Sequence, residues 1–245
     1  MRLICSTQFL ALDAPLVALA KTAWAGFQHA ELAIHDLSAL VPDPFDMETL
    51  LEAESLTLAG IAVPALAASG EDASLQAAAA IGRAIAWAAD LGATTVRMPA
   101  PPETTARGEW LRAMERLLAA LGERPGAGAV RLCLEVGSAT LLPDEMSAHE
   151  AVAALGAERA GLALDLGGTL ERGLSPVSLA EWPAPPALVT LSLAEAWSED
   201  ELTAWLGALT AAGAGALVLT HPGGEAWELE SRAKEACAWL ESCLR

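Results

Sequence analysis

A single eight-stranded parallel (β/α)8 barrel spanning residues 1–245 is the fold the sequence predicts, on three observations. Short apolar runs alternate eight times with longer amphipathic ones, which implies parallel strands covered by helices. Eight such repeats in 245 residues match the size of a TIM barrel. Polar residues cluster at one end of the apolar runs, where a barrel carries its chemistry. A doubly wound open sheet is the competing architecture. It calls for a glycine fingerprint after the first strand, and residues 6–14 (STQFLALDA) contain no glycine.

The strands are expected at 2–8, 30–35, 60–67, 94–98, 129–136, 160–166, 187–193 and 215–220. The helices are expected at 15–26, 46–59, 71–92, 103–122, 147–156, 175–182, 198–213 and 225–244. Ser198 with Glu201, and Ser147 with Glu150, read as capping boxes. Gly92, Gly122 and Gly156 stand where helices should stop. In the last helix Leu229, Ala233, Cys237, Leu240 and Leu244 form one apolar stripe. The two PAPP stretches, 99–102 and 183–186, read as barrel loops, and the short helix at 175–182 is flanked by proline.

Composition narrows the function. Thirty-two acidic residues face 14 basic ones, a net charge of −18. That balance argues against a nucleic-acid partner and against an anionic membrane surface, and otherwise speaks to solubility. No tyrosine is present to act as a general acid. Lys21 and Lys234, the two lysines, fall in helical stretches and not at strand ends, against a Schiff-base role. No phosphate-binding GxxxxGK[ST] loop occurs. The four cysteines form neither a CxxC pair nor a zinc pattern. Cys133 and Cys237 read as small buried hydrophobes, and a reducing cytoplasm is the expected location. Ser6, Thr7, Gln8 and Asp13 interrupt the apolar start of the chain, which reads as a strand and a helix start, not a signal peptide. No apolar run reaches the roughly 18 residues of a membrane span.

The polar residues at the ends of the strands are Ser6, Gln8, Glu31, His35, Arg97, Glu135, Asp165, Ser192, Glu195, Thr220 and His221. Glu135 and Asp165 stand out, because each ends an otherwise apolar strand (LCLE and LALD). Strands neighbour one another at about 4.8 Å, so two inward carboxylates would be close. A cation bridges them, or one holds a proton. The alternative is that each caps a following helix or pairs with an arginine. Arg97 suits a ligand phosphate or carboxylate, but pairing with Glu135 or Glu31 is the stronger expectation. His29 and His149 read as surface residues. The tryptophans at 24, 87, 110, 205 and 239 read as core or covering residues, and Trp197 and Trp227 as platforms for a sugar-like ring or closures of the barrel mouth.

Four segments carry a family resemblance: GFQHAELAIHD (26–36), LGATTVRM (91–98), VRLCLEVG (130–137) and AGLALDLGG (160–168). In order and spacing they resemble strands two, four, five and six of the sugar-phosphate isomerase/epimerase family, the xylose-isomerase-like barrels. The resemblance implies a divalent metal (Mn, Zn, Mg or Co) held by Glu, Asp, His and Glu from strands five to eight, which polarises sugar oxygens while acids move protons through an enediolate. Glu135 and Asp165 match the first two ligands and become the implied catalytic pair. The third position is Ser192, in the run Ser192-Leu193-Ala194-Glu195, and the fourth is Thr220. Gly168 stands where a histidine is frequent. With two of four ligands present, no cofactor is expected.

Two readings follow from this resemblance. In the first, a divergent barrel has lost its metal site and binds a small polar, sugar-like ligand through Glu31, His35, Arg97, Ser192, Glu195 and His221. In the second, an active sugar or sugar-phosphate isomerase/epimerase uses a rearranged metal site of Glu135, Asp165 and His221. An apurinic-site nuclease, another branch of such barrels, fits poorly with four histidines and a charge of −18.

Overall fold

Each strand is a run of five or six residues, and all but β2 and β3 end on a polar side chain or a proline. The computed structural model describes residues 1–10, 14–34, 43–66, 71–137, 139–192, 197–220 and 226–243. The strands are β1 (Arg2–Ser6), β2 (His29–Ala33), β3 (Thr57–Ala62), β4 (Thr95–Pro99), β5 (Arg131–Glu135), β6 (Ala160–Asp165), β7 (Leu188–Ser192) and β8 (Ala216–Thr220). They follow one another in sequence order around a closed barrel. β1 pairs in parallel with both β2 and β8, which closes the ring. The helices are α1 (Pro15–Trp24), α2 (Pro44–Ala53), α3 (Glu71–Asp90), α4 (Arg107–Gly122), α5 (Glu145–Leu155), α6 (Leu166–Glu171), α7 (Glu199–Ala212) and α8 (Ala226–Cys243). The expected (β/α)8 barrel is the observed fold.

Packing divides the chain into two compact units: Met1–Ala33 with Pro42–Leu58 and Leu164–Arg245, and Ile34–Val41 with Ala59–Ala163. In the first, Cys5, Leu164, Val189, Leu191, Leu217 and Leu219 of the strands pack with Ala18, Trp205, Leu206, Ala233, Cys237 and Leu240 of the helices. In the second, Ile61, Val96, Met98, Leu132 and Leu134 are buried together with Ile81, Ile85, Trp110 and Met114. Strand side chains alternate between faces. In the first unit, therefore, Ile4, Ser6, Asp165, Thr190, Ser192, Val218 and Thr220 point away from the helices, on the face that carries the barrel's interior.

Local signals explain several boundaries. Ser198 caps α7: its Oγ accepts from the Glu201 backbone N–H at 3.2 Å, and the Glu201 carboxylate accepts from the Ser198 N–H at 3.3 Å. The Ser198 hydroxyl, and after it the Ser198 backbone, holds the Glu201 carboxyl below its ordinary value. α7 ends at Gly213, whose φ of 86° is left-handed and suits glycine.

Other boundaries differ from expectation. The helix expected over 46–59 stops at Ala53, and β3 starts at Thr57. Ser55, with φ of 54°, makes the left-handed turn that stops it, and residues 57–59 then belong to the strand. Asp43 caps α2 by accepting from the Phe45 N–H, so that helix begins earlier than expected. α5 is capped by Asp144, not Ser147: the Ser147 N–H donates to Asp144 Oδ1 at 2.7 Å. Asp is as good a cap as Ser, and here it stands three residues earlier. Gly122 is the last residue of α4, not a stop beyond it. The crossover after β6 holds α6 and then a 3-10 helix at Pro176–Glu181, where one α-helix over 175–182 was expected.

Burial corrects three residues. His149 is 8% exposed and therefore buried, because it shares the buried face of α5 with Glu145, Ala148, Val152 and Leu155. His29 opens β2 half-buried, not on the surface. Trp24 is 67% exposed, whereas Trp110 and Trp205 are in the core as expected. Cys5, Cys133 and Cys237 are buried and form no disulfide. Burial pushes the Cys5 pKa up to about 12 and raises that of Cys237, so neither of these two thiols is poised for reaction at neutral pH. The side chains of Trp227, Leu229 and Cys243, and residue Leu244, lie outside the described residues.

Candidate functional site at the strand ends

β4 and β5 build the first group of polar side chains. Their register pairs Arg97 with Cys133 and Pro99 with Glu135. Residues two apart on a strand share a face, so Arg97 and Glu135 point to the same side. Arg97 Nη1 donates to Glu135 Oε2 at 3.2 Å and to Oε1 at 3.4 Å. The pair is largely withdrawn from water, with side-chain exposures of 6% for Arg97 and 18% for Glu135. A fixed cation thus meets the first of the two prominent acids, as the sequence suggested for Arg97.

β6 and β7 treat the second acid differently. Asp165 ends β6 and is at once the N-cap of α6: its Oδ2 accepts from the Gly168 N–H at 3.1 Å. The Thr190 hydroxyl donates to Asp165 Oδ1 at 3.3 Å. A side chain at Gly168 would be crowded here. A Cβ at that position would stand 3.1 Å from Asp165 Oδ2 and 2.7 Å from Arg172 Nη1. The capping carboxylate therefore claims the place that a larger residue 168 would fill. Thr190 was missed by sequence reading. It is 2% exposed, and strand alternation sets it on the same face as Ser192, two residues on.

The remaining strand ends carry hydroxyls and one buried acid. Ser192 is level with Thr220 across β7 and β8. The Thr220 hydroxyl donates to the Leu191 carbonyl at 3.4 Å. Ser6 is level with Glu31 across β1 and β2, and both are buried, at 0% and 1% exposure. The Ser6 Oγ accepts from the Gln8 N–H at 3.3 Å, and Thr7 Oγ1 accepts from the Ala33 N–H at 2.8 Å. β1, β2, β6, β7 and β8 thus present Ser6, Glu31, Asp165, Thr190, Ser192 and Thr220 on one strand face. His35, Glu195 and His221 lie outside the described residues. Among the described residues, no group of three or more His, Cys, Asp or Glu side chains is arranged to hold a metal ion.

Solved structures share this architecture over the whole chain. An L-ribulose 3-epimerase matches at 19% identity with a TM-score of 0.76, over 99% of this chain and 94% of that one. The fold is that of the xylose-isomerase-like TIM barrels. The IOLI protein, solved with a zinc atom bound, matches at 15% identity and a TM-score of 0.76, over 100% of this chain and 98% of that one. A xylose isomerase-like TIM barrel/4-hydroxyphenylpyruvate dioxygenase fusion protein matches at 17% identity with a TM-score of 0.76. This chain is covered in full there but spans 43% of the fusion's length. No family model matches the chain, and no curated protein matches it. Among the described residues no helix is long and apolar enough to cross a membrane.

Proposed function

We propose that this barrel binds a small polyhydroxylated, sugar-like ligand at its strand ends and does so without a resident divalent ion. The observation that carries the reading is the Arg97–Glu135 pair. The family resemblance places a metal-ligating carboxylate at Glu135, and here a buried guanidinium meets that carboxylate at 3.2 Å. A second cation at the same oxygens would be repelled by the first.

The rest of the donor set fits a metal equally poorly. Asp165 is engaged by a backbone N–H and a hydroxyl. Ser192 and Thr220 offer neutral hydroxyls, weak partners for a divalent ion that prefers carboxylate or imidazole. The same groups suit a polyol. Hydroxyls donate and accept, and buried carboxylates accept strongly, so each ligand hydroxyl finds a complementary partner. In the first unit Glu31, level with Ser6, adds a charged acceptor. Proton transfer by Glu31 or Asp165 next to a ligand carbonyl is the class of chemistry these side chains support.

The test is elemental analysis of protein purified without added metal or chelator, followed by calorimetric titration of ketopentoses and ketohexoses. Substoichiometric metal and saturable sugar binding that is lost in Asp165→Ala are expected. Stoichiometric zinc, manganese or cobalt that survives dialysis and disappears in Glu135→Ala overturns the proposal in favour of a rearranged metal site.

A further inference from the structure

The outer wall of the second unit holds a small polar pocket between α3 and α4, lined by Ser74, Leu75, Glu109, Arg112, Ala113 and Arg116. Two features single it out. Ser74, on the first turns of α3, is 1% exposed, and its Oγ has no hydrogen-bond partner. A buried hydroxyl without a partner is destabilising, so it marks a place where a partner atom belongs. Second, Arg112 and Arg116 stand one turn apart on α4, where like charges repel. Among the described residues neither guanidinium makes an ion pair, in a protein with 32 acidic residues.

We infer that this groove is an oxyanion site for a phosphate group. The cavity measures about 20 Å³, enough for one water-sized atom and too small for a whole phosphate. One phosphate oxygen takes the seat beside Ser74 Oγ, and the remaining oxygens meet the exposed guanidinia of Arg112 and Arg116 at the rim. Guanidinium forks match phosphate oxygens in pairs, which a lysine does not. Glu109 lines the same groove, and its carboxylate accepts a hydrogen bond from a phosphate oxygen that keeps its proton. The net charge of −18 repels anions at long range, so binding depends on these local donors and is not a general property of the surface.

The experiment is calorimetric titration of inorganic phosphate into the full chain at low ionic strength, with sodium chloride at equal ionic strength as the control. Saturable binding is expected. It weakens about tenfold, equivalent to about 1.4 kcal/mol, in Arg112→Gln/Arg116→Gln. It weakens also in Ser74→Ala. Both arginines are exposed, so the double variant keeps its fold and decides the matter if Ser74→Ala is unstable. A sugar monophosphate titrated into the wild type and the double variant separates the sources. A larger difference than inorganic phosphate shows assigns the groove to a phosphorylated metabolite, and an equal difference assigns it to free phosphate. No saturable binding, equal binding by the double variant, or the same heat from chloride overturns the inference and leaves a single-water pocket.

Discussion

Glu135 and Asp165 end their strands alike, each as the first acid after an apolar run, yet the structure neutralises them by different means. Glu135 depends on a guanidinium 38 residues away in sequence. Asp165 depends on the backbone N–H of a residue three places later, and on Thr190. An ion pair withdrawn from water holds two charges that each need the other. A cap holds one charge against a dipole that the helix supplies anyway. The same residue type at the same kind of position therefore carries unequal energetic weight.

That inequality is open to direct measurement by denaturant unfolding at pH 7. Arg97→Ala has the largest expected effect, a loss of about 3 kcal/mol, because it leaves the Glu135 charge mostly buried without its cation. Glu135→Gln should lose about 2 kcal/mol, since the amide still accepts one hydrogen bond from Arg97 but no longer balances its charge. If Arg97→Ala and Glu135→Gln together lose no more than Arg97→Ala alone, the coupling is confirmed; simple additivity refutes it.

On the other side of the comparison the losses shrink. Asp165→Ala removes the cap of α6 and should lose about 1 kcal/mol. Asp165→Asn keeps an accepting oxygen and should stay within about 0.5 kcal/mol of wild type, since Asn caps as well as Asp. A loss for Asp165→Asn as large as that for Arg97→Ala would mean that a positive charge, such as a cation, also depends on Asp165.

The smallest effect concerns pH. Burial lowers the pKa of His149 below its usual 6.5, partly opposed by Glu145. The unfolded chain then binds the proton more readily than the folded one. His149 thus contributes stability that is present above pH 6.5 and is lost as the pH falls through its depressed folded value. Between pH 7.5 and 5.5 the unfolding free energy should fall less steeply in His149→Gln than in wild type. Identical slopes would show that His149 takes no part.

The sequence made the strand ends legible because they are local. Glu135 and Asp165 end their apolar runs, and Arg97 stands two residues before the end of β4, where its charge marks it. Thr190 holds the same place in β7 and escaped because its small neutral side chain passes for part of the apolar run. His149 escaped because a polar side chain does not announce the burial that Ala148, Val152 and Leu155 impose on its face of α5.

By itself the sequence determined eight strand–helix repeats, their closure as a barrel, and the end at which polar groups gather. All of these follow from periodicities of two and 3.6 residues and from chain length, which are properties of neighbouring residues. Only the tertiary structure decided which partner each acid takes. Arg97 reaches Glu135 because the β4–β5 register sets them two residues out of step on one face. No spacing along the chain records that register. The same is true of Ser74 beside Arg112 and Arg116, brought to one groove by the packing of α3 and α4. Contacts of this kind depend on how whole elements pack, and a one-residue shift in a strand would turn each side chain to the opposite face.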